Sequence, residues 1–271
     1  MARSSWSDSD VVDKYVTEGF TDRGESQAFA ELWPALSGGR VLDLGVGAGR
    51  TTRLLAPVAP KYVGVDLSKA MVELARERNP GVDIRCADAR RLGADFPDGA
   101  YDLVIFSFNG IDSVDHSGRE AVLAEMHRVL RPGGRLLFSS LNIDGPYFDE
   151  RPWRLPPVPD GAPAERMMRK VLAFVRVVAH PRTQLASLRN FEQSRRHAGD
   201  GDGWSMRPMR GHEFRFVVLF ASPGATTAML RHAGLVPVRG WTQDGEEFDV
   251  TAERSAAGYL HYLCRQGALR S

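Results

Sequence analysis

The sequence predicts an α/β protein built on a doubly wound, mostly parallel sheet, with a helical cap inserted into it. Three observations carry that expectation. Short apolar runs alternate with helical stretches through the first half of the chain. A glycine-rich turn joins the first of these runs to a helix. The alternation stops at Leu141, where a proline-rich stretch begins. Strands that alternate with helices imply parallel βαβ crossovers and helices on both faces of one sheet.

The elements follow in order. Residues 41–44 (VLDL) form a short strand, followed by the glycine turn 45–49 and a helix over 50–58. Residues 62–65 (YVGV) are the second strand. Residues 68–78 are the second helix, with Ser68 at the N-cap, where its hydroxyl can accept from a backbone N–H left open at the helix start. Residues 82–86 and 101–106 (YDLVIF) are the third and fourth strands. Residues 117–130 set Val122, Leu123, Met126, Val129 and Leu130 on one helical stripe, and the Pro132-Gly133-Gly134 turn stops it. Residues 135–141 are the fifth strand. Pro146, Pro152, Pro156, Pro157 and Pro159 then suit an extended linker. Two helices, 163–179 and 182–196, stand on either side of Pro181, and the glycine-rich stretch 199–203 closes the segment. Strand 214–220, helix 222–233 and strands 235–241 and 257–265 complete the pattern. Four regions result: an N-terminal helical segment (1–38), a core (39–143), a helical insertion (144–211) and a C-terminal completion of the sheet (212–271).

Composition narrows the function classes. Hydrophobic residues make up 43% and charged residues 25%, an ordinary globular balance. Lys and Arg number 35 against 34 Asp and Glu, so the net charge is +1 and bulk attraction to duplex nucleic acid is not expected. Two cysteines, Cys86 and Cys264, cannot build a disulfide framework or a Cys-rich zinc site. Both lie among strand residues and read as small buried hydrophobes. No metal ligand set is expected. No apolar run approaches the ~20 residues that span a bilayer. The N-terminus, MARSSWSDSD, has no apolar stretch behind its Arg, so a cytoplasmic protein is expected.

The segment Asp43-Leu44-Gly45-Val46-Gly47-Ala48-Gly49 ends a strand and opens a helix. In an open α/β sheet such a turn borders the ligand crevice, and its glycines expose main-chain N–H groups. The spacing is G-x-G-x-G, not the dinucleotide G-x-G-x-x-G. Asp43 puts a carboxylate where a pyrophosphate would be repelled and an amino group welcomed. Asp66 ends the second strand 21 residues past Gly45, placed to accept from two ribose hydroxyls. Asp88 follows the third strand, where it can accept from an adenine amine. A ligand with an amino group, a ribose and an adenine, and no need of a phosphate cradle, is S-adenosylmethionine rather than NAD.

These residues resemble the class I S-adenosylmethionine-dependent methyltransferases of the small-molecule type. VLDLGVGAGR resembles their first motif, YVGVDLS the second-strand acidic motif, and CADARRL the third-strand motif. YDLVIFSFNGID resembles the fourth, and HRVLRPGGRLLFSS the helix–turn–strand element after it. The resemblance covers residues 35–142 in register and 213–265 more loosely. It implies a Rossmann-like sheet of seven strands. It also implies that Gly45, Gly47 and Gly49 contact the methionine moiety and ribose, with Asp43 on the amino group, directly or through water. Asp66 would hold the ribose hydroxyls and Asp88 the adenine amine. Leu67 and Met71 would pack on the nucleoside, Ala89 would offer a backbone N–H to adenine, and the Phe106 backbone would meet the cofactor. Val46 departs from the pattern, standing where a smaller or sulfur-bearing residue is common.

The sulfonium methyl is already an electrophile, so the protein must orient a nucleophile and, where needed, remove its proton. Candidates follow the fourth strand. His116 has a base's titration range, or is simply a loop residue ahead of a helix. Asn109 orients an acceptor group, or completes the turn with Gly110. His212 and Glu213 enter the same region from beyond the insertion. Neither an Asn/Asp-Pro-Pro-aromatic element nor a loop cysteine is present, which favours a small-molecule acceptor, a secondary metabolite. The resemblance implies that the N-terminal residues 15–33 form a lid over the cofactor, in which Tyr15 and Phe20 serve packing or, as the alternative, contact the substrate or sulfonium.

Between 151 and 210, twelve Lys and Arg face five Asp and Glu, so that stretch carries +7 and the remainder −6. This reads as solvated helix faces, as a cap attracting an anionic substrate, or as a track for RNA. Met167, Met168, Leu172, Phe174 and Val175 form the cap's core, a pocket wall or a contact in a homodimer, and Trp153 and Trp204 likewise line a pocket. The rival functions are an RNA methyltransferase, a non-catalytic S-adenosylmethionine-binding module and, more remotely, an NAD dehydrogenase.

Overall fold

The structure is a computed structural model, and it describes residues 21–155, 181–268 and, between them, 167, 168, 171, 172, 174 and 175. Seven strands form the main sheet: β1 (Arg40–Leu44), β2 (Lys61–Asp66), β3 (Asp83–Cys86), β4 (Tyr101–Phe106), β5 (Leu130–Leu141), β9 (Leu235–Thr242) and β10 (Tyr259–Gln266). They pair in the order β3-β2-β1-β4-β5-β10-β9. β1 to β5 run parallel, and β10 is antiparallel to both of its neighbours. The chain starts at β1, winds out to the β3 edge, and returns to β4 on the other side of β1. The carboxyl ends of β1 and β4 therefore flank the switch point where such sheets bind ligands.

β1 shows why both faces must be covered. Leu42 and Leu44 join one core with Val104, Phe106 and Phe138, closed by Val122, Leu123 and Met126 of helix α4 (His116–Val129). Val41 joins the opposite core with Leu103, Ile105 and Leu137. Helix α1 (Arg23–Leu36) covers that second face with Ala28, Phe29, Leu32 and Leu36. It lies so close to β9 that a Cβ on Gly24 would stand 2.2 Å from the Thr242 carbonyl oxygen. The described part of the expected N-terminal lid is thus a structural layer. Tyr15 and Phe20 lie outside the described residues.

Helices α2 (Arg50–Leu55) and α3 (Lys69–Arg78) fall where the pattern predicts them, and Ser68 accepts from the Met71 N–H at the N-cap of α3. α4 ends at Val129. The Pro132-Gly133-Gly134 turn lies inside β5, where the pairing with β4 slips.

The chain beyond Leu141 departs further from expectation. The described residues between 167 and 175 are helical, and a second helix, α5 (Pro181–Ser194), begins at Pro181, whose locked φ suits a first helical position. The stretch 199–203 is a hairpin: β6 (Gly199–Gly201) pairs antiparallel with β7 (Trp204–Pro208) across Asp202-Gly203, with Gly203 at φ +70. Asp-Gly between two strands is the turn signal that the compositional reading passed over. β8 (Val217–Ala221) pairs with β7 in a separate three-stranded sheet, β6-β7-β8, and not in the main one. Glu213 and Phe214, at φ 52 and 57, delay that strand until Val217. Helix α6 (Pro223–His232), N-capped by Ser222, leads back into β9.

Three burial expectations are corrected. Cys264 is buried, but Cys86, near the end of the edge strand β3, is exposed. Met167, Met168, Leu172, Phe174 and Val175 are exposed and form no cap core. Trp153 is exposed against Phe191, and Trp204 packs on His116, so neither is on the wall of the cavity described below. The basic surplus of the insertion is partly neutralised where it stands: Arg151, Arg154, Arg195, Arg207 and Arg210 each hold an ion pair. No described helix is long and apolar enough to cross a membrane.

Candidate functional site

A cavity of about 400 Å³ opens at the carboxyl ends of β1, β2, β3 and β4. The glycine turn and the loops after β2 and β3 line one end. Phe108 and Asn109, Tyr147, Tyr259, β8 and the turn at 209–212 line the other.

The turn is shaped by its glycines. Gly45, at φ +65, lies against Phe106, and a Cβ there would stand 2.4 Å from the ring. Gly47, at φ +54, has nothing within 4 Å of that direction and is on the wall. Gly49, at φ +88, caps α2 against Asn79 and does not reach the wall. Gly45→Ala therefore adds left-handed strain to a clash with Phe106. It is expected to cost about 1–3 kcal/mol of stability and to open the turn, measured as a lower melting temperature with a weaker ligand-induced rise.

Asp66 ties the first two loops together. Its Oδ2 accepts from the Gly47 N–H at 2.8 Å and its Oδ1 from the Ser68 N–H at 2.8 Å. Burial raises its pKa, while these N–H groups pull it down. Asp88 is also on the wall, held by the Arg90 guanidinium at 2.7 and 3.0 Å.

Asp43 sits beneath the turn and off the cavity wall, fully buried. Its Oδ2 accepts from the Tyr62 hydroxyl at 2.6 Å, and its Oδ1 is buried without a hydrogen bond. Burial raises the carboxyl to about 6, with the Thr51 and Tyr62 hydroxyls and the Arg50 guanidinium only partly offsetting it. The ordinary value is about 3.9, so the folded chain binds this proton more tightly, and the contribution of Asp43 to stability falls as pH rises from about 4 to about 6. Asp43→Asn removes that slope. The variant is expected to gain on the wild type by up to about 3 kcal/mol between pH ~4 and ~7, read from urea midpoints.

One cluster was not foreseen from sequence. The Arg50 guanidinium makes two hydrogen bonds to Glu25 of α1, at 2.6 and 2.8 Å, and one to Ser107 Oγ at 2.9 Å, and Ser107 also donates to Glu25. Arg50 lies on the cavity wall, 4.9 Å above the Phe108 ring. The available signal was positional. A cation in the first turn of a helix opposes the helix dipole, so it needs a carboxylate brought from elsewhere.

Phe108 and Asn109 take left-handed backbone conformations, φ 53 and 59, rare for residues with side chains. The Asn109 N–H donates to Ser139 Oγ at 2.7 Å, while its side-chain oxygen is buried without a partner. Behind this turn, Asp112 and Arg119 form a fully buried ion pair, and Asp112 also accepts from the Leu141 N–H and Ser140 Oγ.

Of the residues expected at the site, Gly45, Gly47, Asp66, Leu67, Met71, Asp88, Ala89, Phe106 and Asn109 lie on the wall. Asp43, Gly49 and His116 do not. His116 is the first residue of α4, its ring 4.7 Å from that of Trp204 and its Nδ1 3.9 Å from Glu120, so packing turns it away from the cavity. His212 is on the wall, whereas Glu213 pairs with Arg215. No cluster of metal ligands occurs among the described residues.

Residues 41–134 match the family described as a methyltransferase domain. A demethylmenaquinone methyltransferase of Thermus thermophilus is 38% identical over 102 residues, 36% of this chain and 45% of that protein. A phthiotriol/phenolphthiotriol dimycocerosates methyltransferase 1 of Mycobacterium ulcerans is 40% identical over 112 residues, 39% of each. The chain spans about half or less of the length of these curated relatives. Among solved structures, the CcbJ methyltransferase of Streptomyces caelestis shares the fold with a TM-score of 0.60, covering 98% of this chain and 99% of that one at 19% identity.

Proposed function

We propose that this chain is a class I S-adenosylmethionine-dependent methyltransferase, a reading supported by the methyltransferase-domain match at residues 41–134, and that it transfers a methyl group from S-adenosylmethionine to an oxygen, nitrogen or carbon of a small-molecule acceptor. The observation that carries this reading is the clasp made by Asp66. A half-buried carboxylate at the switch point holds the glycine turn by the Gly47 N–H, and Gly47 presents a bare face to the cavity.

The residues present fit the cofactor. Asp66 retains lone pairs for the ribose hydroxyls beside its two backbone donors. Gly45 and Gly47 let the methionine moiety approach the main chain. Leu67 and Met71 pack on the nucleoside, Ala89 offers its N–H to adenine, and Asp88 accepts from the adenine amine while sharing its charge with Arg90. The Phe106 backbone borders the sulfur. Asp43 acts on the amino group from below the turn, through an intervening group rather than by contact, and Gly49 shapes the turn.

When bound, the cofactor supplies the electrophilic carbon. The chain orients the acceptor and excludes water, which accounts for about 7–11 kcal/mol of barrier in well-aligned reactions. Asn109 does the orienting, its unpartnered oxygen accepting a hydrogen bond from the acceptor. The relatives above carry demethylmenaquinone and phthiotriol/phenolphthiotriol dimycocerosates in their names, small molecules both, which supports an acceptor of that size.

Calorimetric titration with S-adenosylmethionine and, separately, NADH tests the reading. It expects saturable heat from the first and none from the second. Heat from NADH alone sinks it. Binding without methyl transfer to any member of a broad acceptor panel favours a non-catalytic module.

A further inference from the structure

Resting on that reading, we infer that His212 is the base of the reaction and that its acceptor is a neutral ring compound with an ionisable hydroxyl, a phenol or an enol. The acceptor end of the cavity is aromatic and apolar, walled by Phe108, Leu141, Tyr147, Met209, Val218 and Tyr259. Among the described residues, the carboxylates on the wall, Asp66 and Asp88, stand at the nucleoside end and are both engaged. A protonated amine would be desolvated there with no counter-charge among the described residues, which is costly. An anionic acceptor fares no better among the described residues, where Arg50 and Arg90 on the wall are each committed to a carboxylate. A neutral ring carrying a hydroxyl meets neither penalty.

Such a hydroxyl is a poor nucleophile until it loses its proton. Among the described lining residues, His212 carries the imidazole. Burial raises the phenols of Tyr147 and Tyr259, which keeps them protonated and unfit to accept a proton. The turn that carries His212 is rigid. The His212 and Phe214 N–H groups donate to the Met209 carbonyl at 3.2 and 3.0 Å, Asn190 caps the Glu213 carbonyl at 3.0 Å, and the ring stacks on Phe216 at 4.4 Å. Two successive left-handed residues, Glu213 and Phe214, follow it. Strain of this kind is held where a side chain must be aimed. Among the described charged groups on and against the turn, Arg210 pairs with Glu150 and Arg215 with Glu213.

In the step, the acceptor O–H bond breaks and its proton passes to the imidazole. The oxygen lone pair forms the new C–O bond as the C–S bond breaks, its electrons staying on sulfur. For an enol the same deprotonation directs the pair to carbon and leaves a carbonyl, and for an electron-rich ring the methylated carbon then gives up its own proton to solvent as the phenol re-forms. His212 is half-exposed and returns its proton to solvent.

The test uses 4-nitrocatechol and 4-nitrophenol, whose absorption reports ionisation, with the full chain loaded with S-adenosylhomocysteine, and methyl transfer measured separately with S-adenosylmethionine. The wild type is expected to bind the probes and shift them to the ionised spectrum. His212→Gln should keep its cofactor affinity and its melting temperature, bind the probes in the neutral form, and lose about 10²–10⁴-fold in transfer rate. Added imidazole should restore part of the rate to His212→Ala. An ionised spectrum and full rate in His212→Gln overturn the proposal. Methylation of amines but of no hydroxylated ring by the wild type also overturns it. Absence of cofactor binding sinks the methyltransferase reading instead, so the two failures are separable.

Discussion

Asp66→Ala is expected to raise the dissociation constant for S-adenosylmethionine by about 10- to 100-fold, measured by calorimetry at fixed salt. The size follows from hydrogen bonds to a charged group, each worth about 1.5–3 kcal/mol, partly offset by water entering the gap. Two losses combine. The ribose loses its acceptor, and the Gly47 and Ser68 N–H groups lose the carboxylate that joins the first loop to the second. Asp66→Asn separates them. Its one carbonyl oxygen can take the Gly47 or the Ser68 N–H but not both, so an intermediate loss is expected. Affinity within a factor of about two of the wild type in Asp66→Ala contradicts the assignment of the nucleoside end.

Arg119→Met is expected to destabilise the fold by about 3–5 kcal/mol, because it strands the Asp112 carboxylate in a site where neither partner is exposed. For a chain of this size that is a fall of about 10 °C in melting temperature. Burial already raises Asp112 to about 6 despite Arg119 beside it. The single variant should therefore lose least at low pH, where Asp112 is protonated, and most above about pH 6. Asp112→Asn combined with Arg119→Met should recover much of the loss, since the amide oxygen can still take the Leu141 N–H. Equal melting temperatures for the wild type and Arg119→Met would show that the pair contributes nothing. Catalysis should suffer as well, because the turn bearing Asn109 is anchored to β5 through Asp112.

The core was legible because parallel strands buried on both faces leave near-continuous apolar runs, as in VLDL and YDLVIF, and because glycines and aspartates mark the turns between them. The positions of Gly47, Asp66 and Asp88 on the wall follow from strand ends alone. The residues that escaped notice are brought in by long-range packing. Glu25 reaches Arg50 across the face of the sheet, and no local pattern announces that meeting. His116 misled because a histidine just past the fourth strand is close in sequence to the cavity, yet helix α4 starts there and Trp204 claims its ring. The β6-β7 hairpin was hidden by reading glycines as composition when Asp202-Gly203 specified a turn.

Helix α1 has a practical meaning for anyone dissecting the gene. The recognisable domain opens at residue 41, but Asp22 grips Tyr259 and His261 near the far end of the chain, and Glu25 neutralises Arg50. A fragment trimmed to the recognisable domain would bare an oily sheet face and leave a guanidinium uncompensated beside the crevice. Head and tail here are mutually dependent, so the smallest portion worth expressing starts ahead of Asp22 and runs through the last strand.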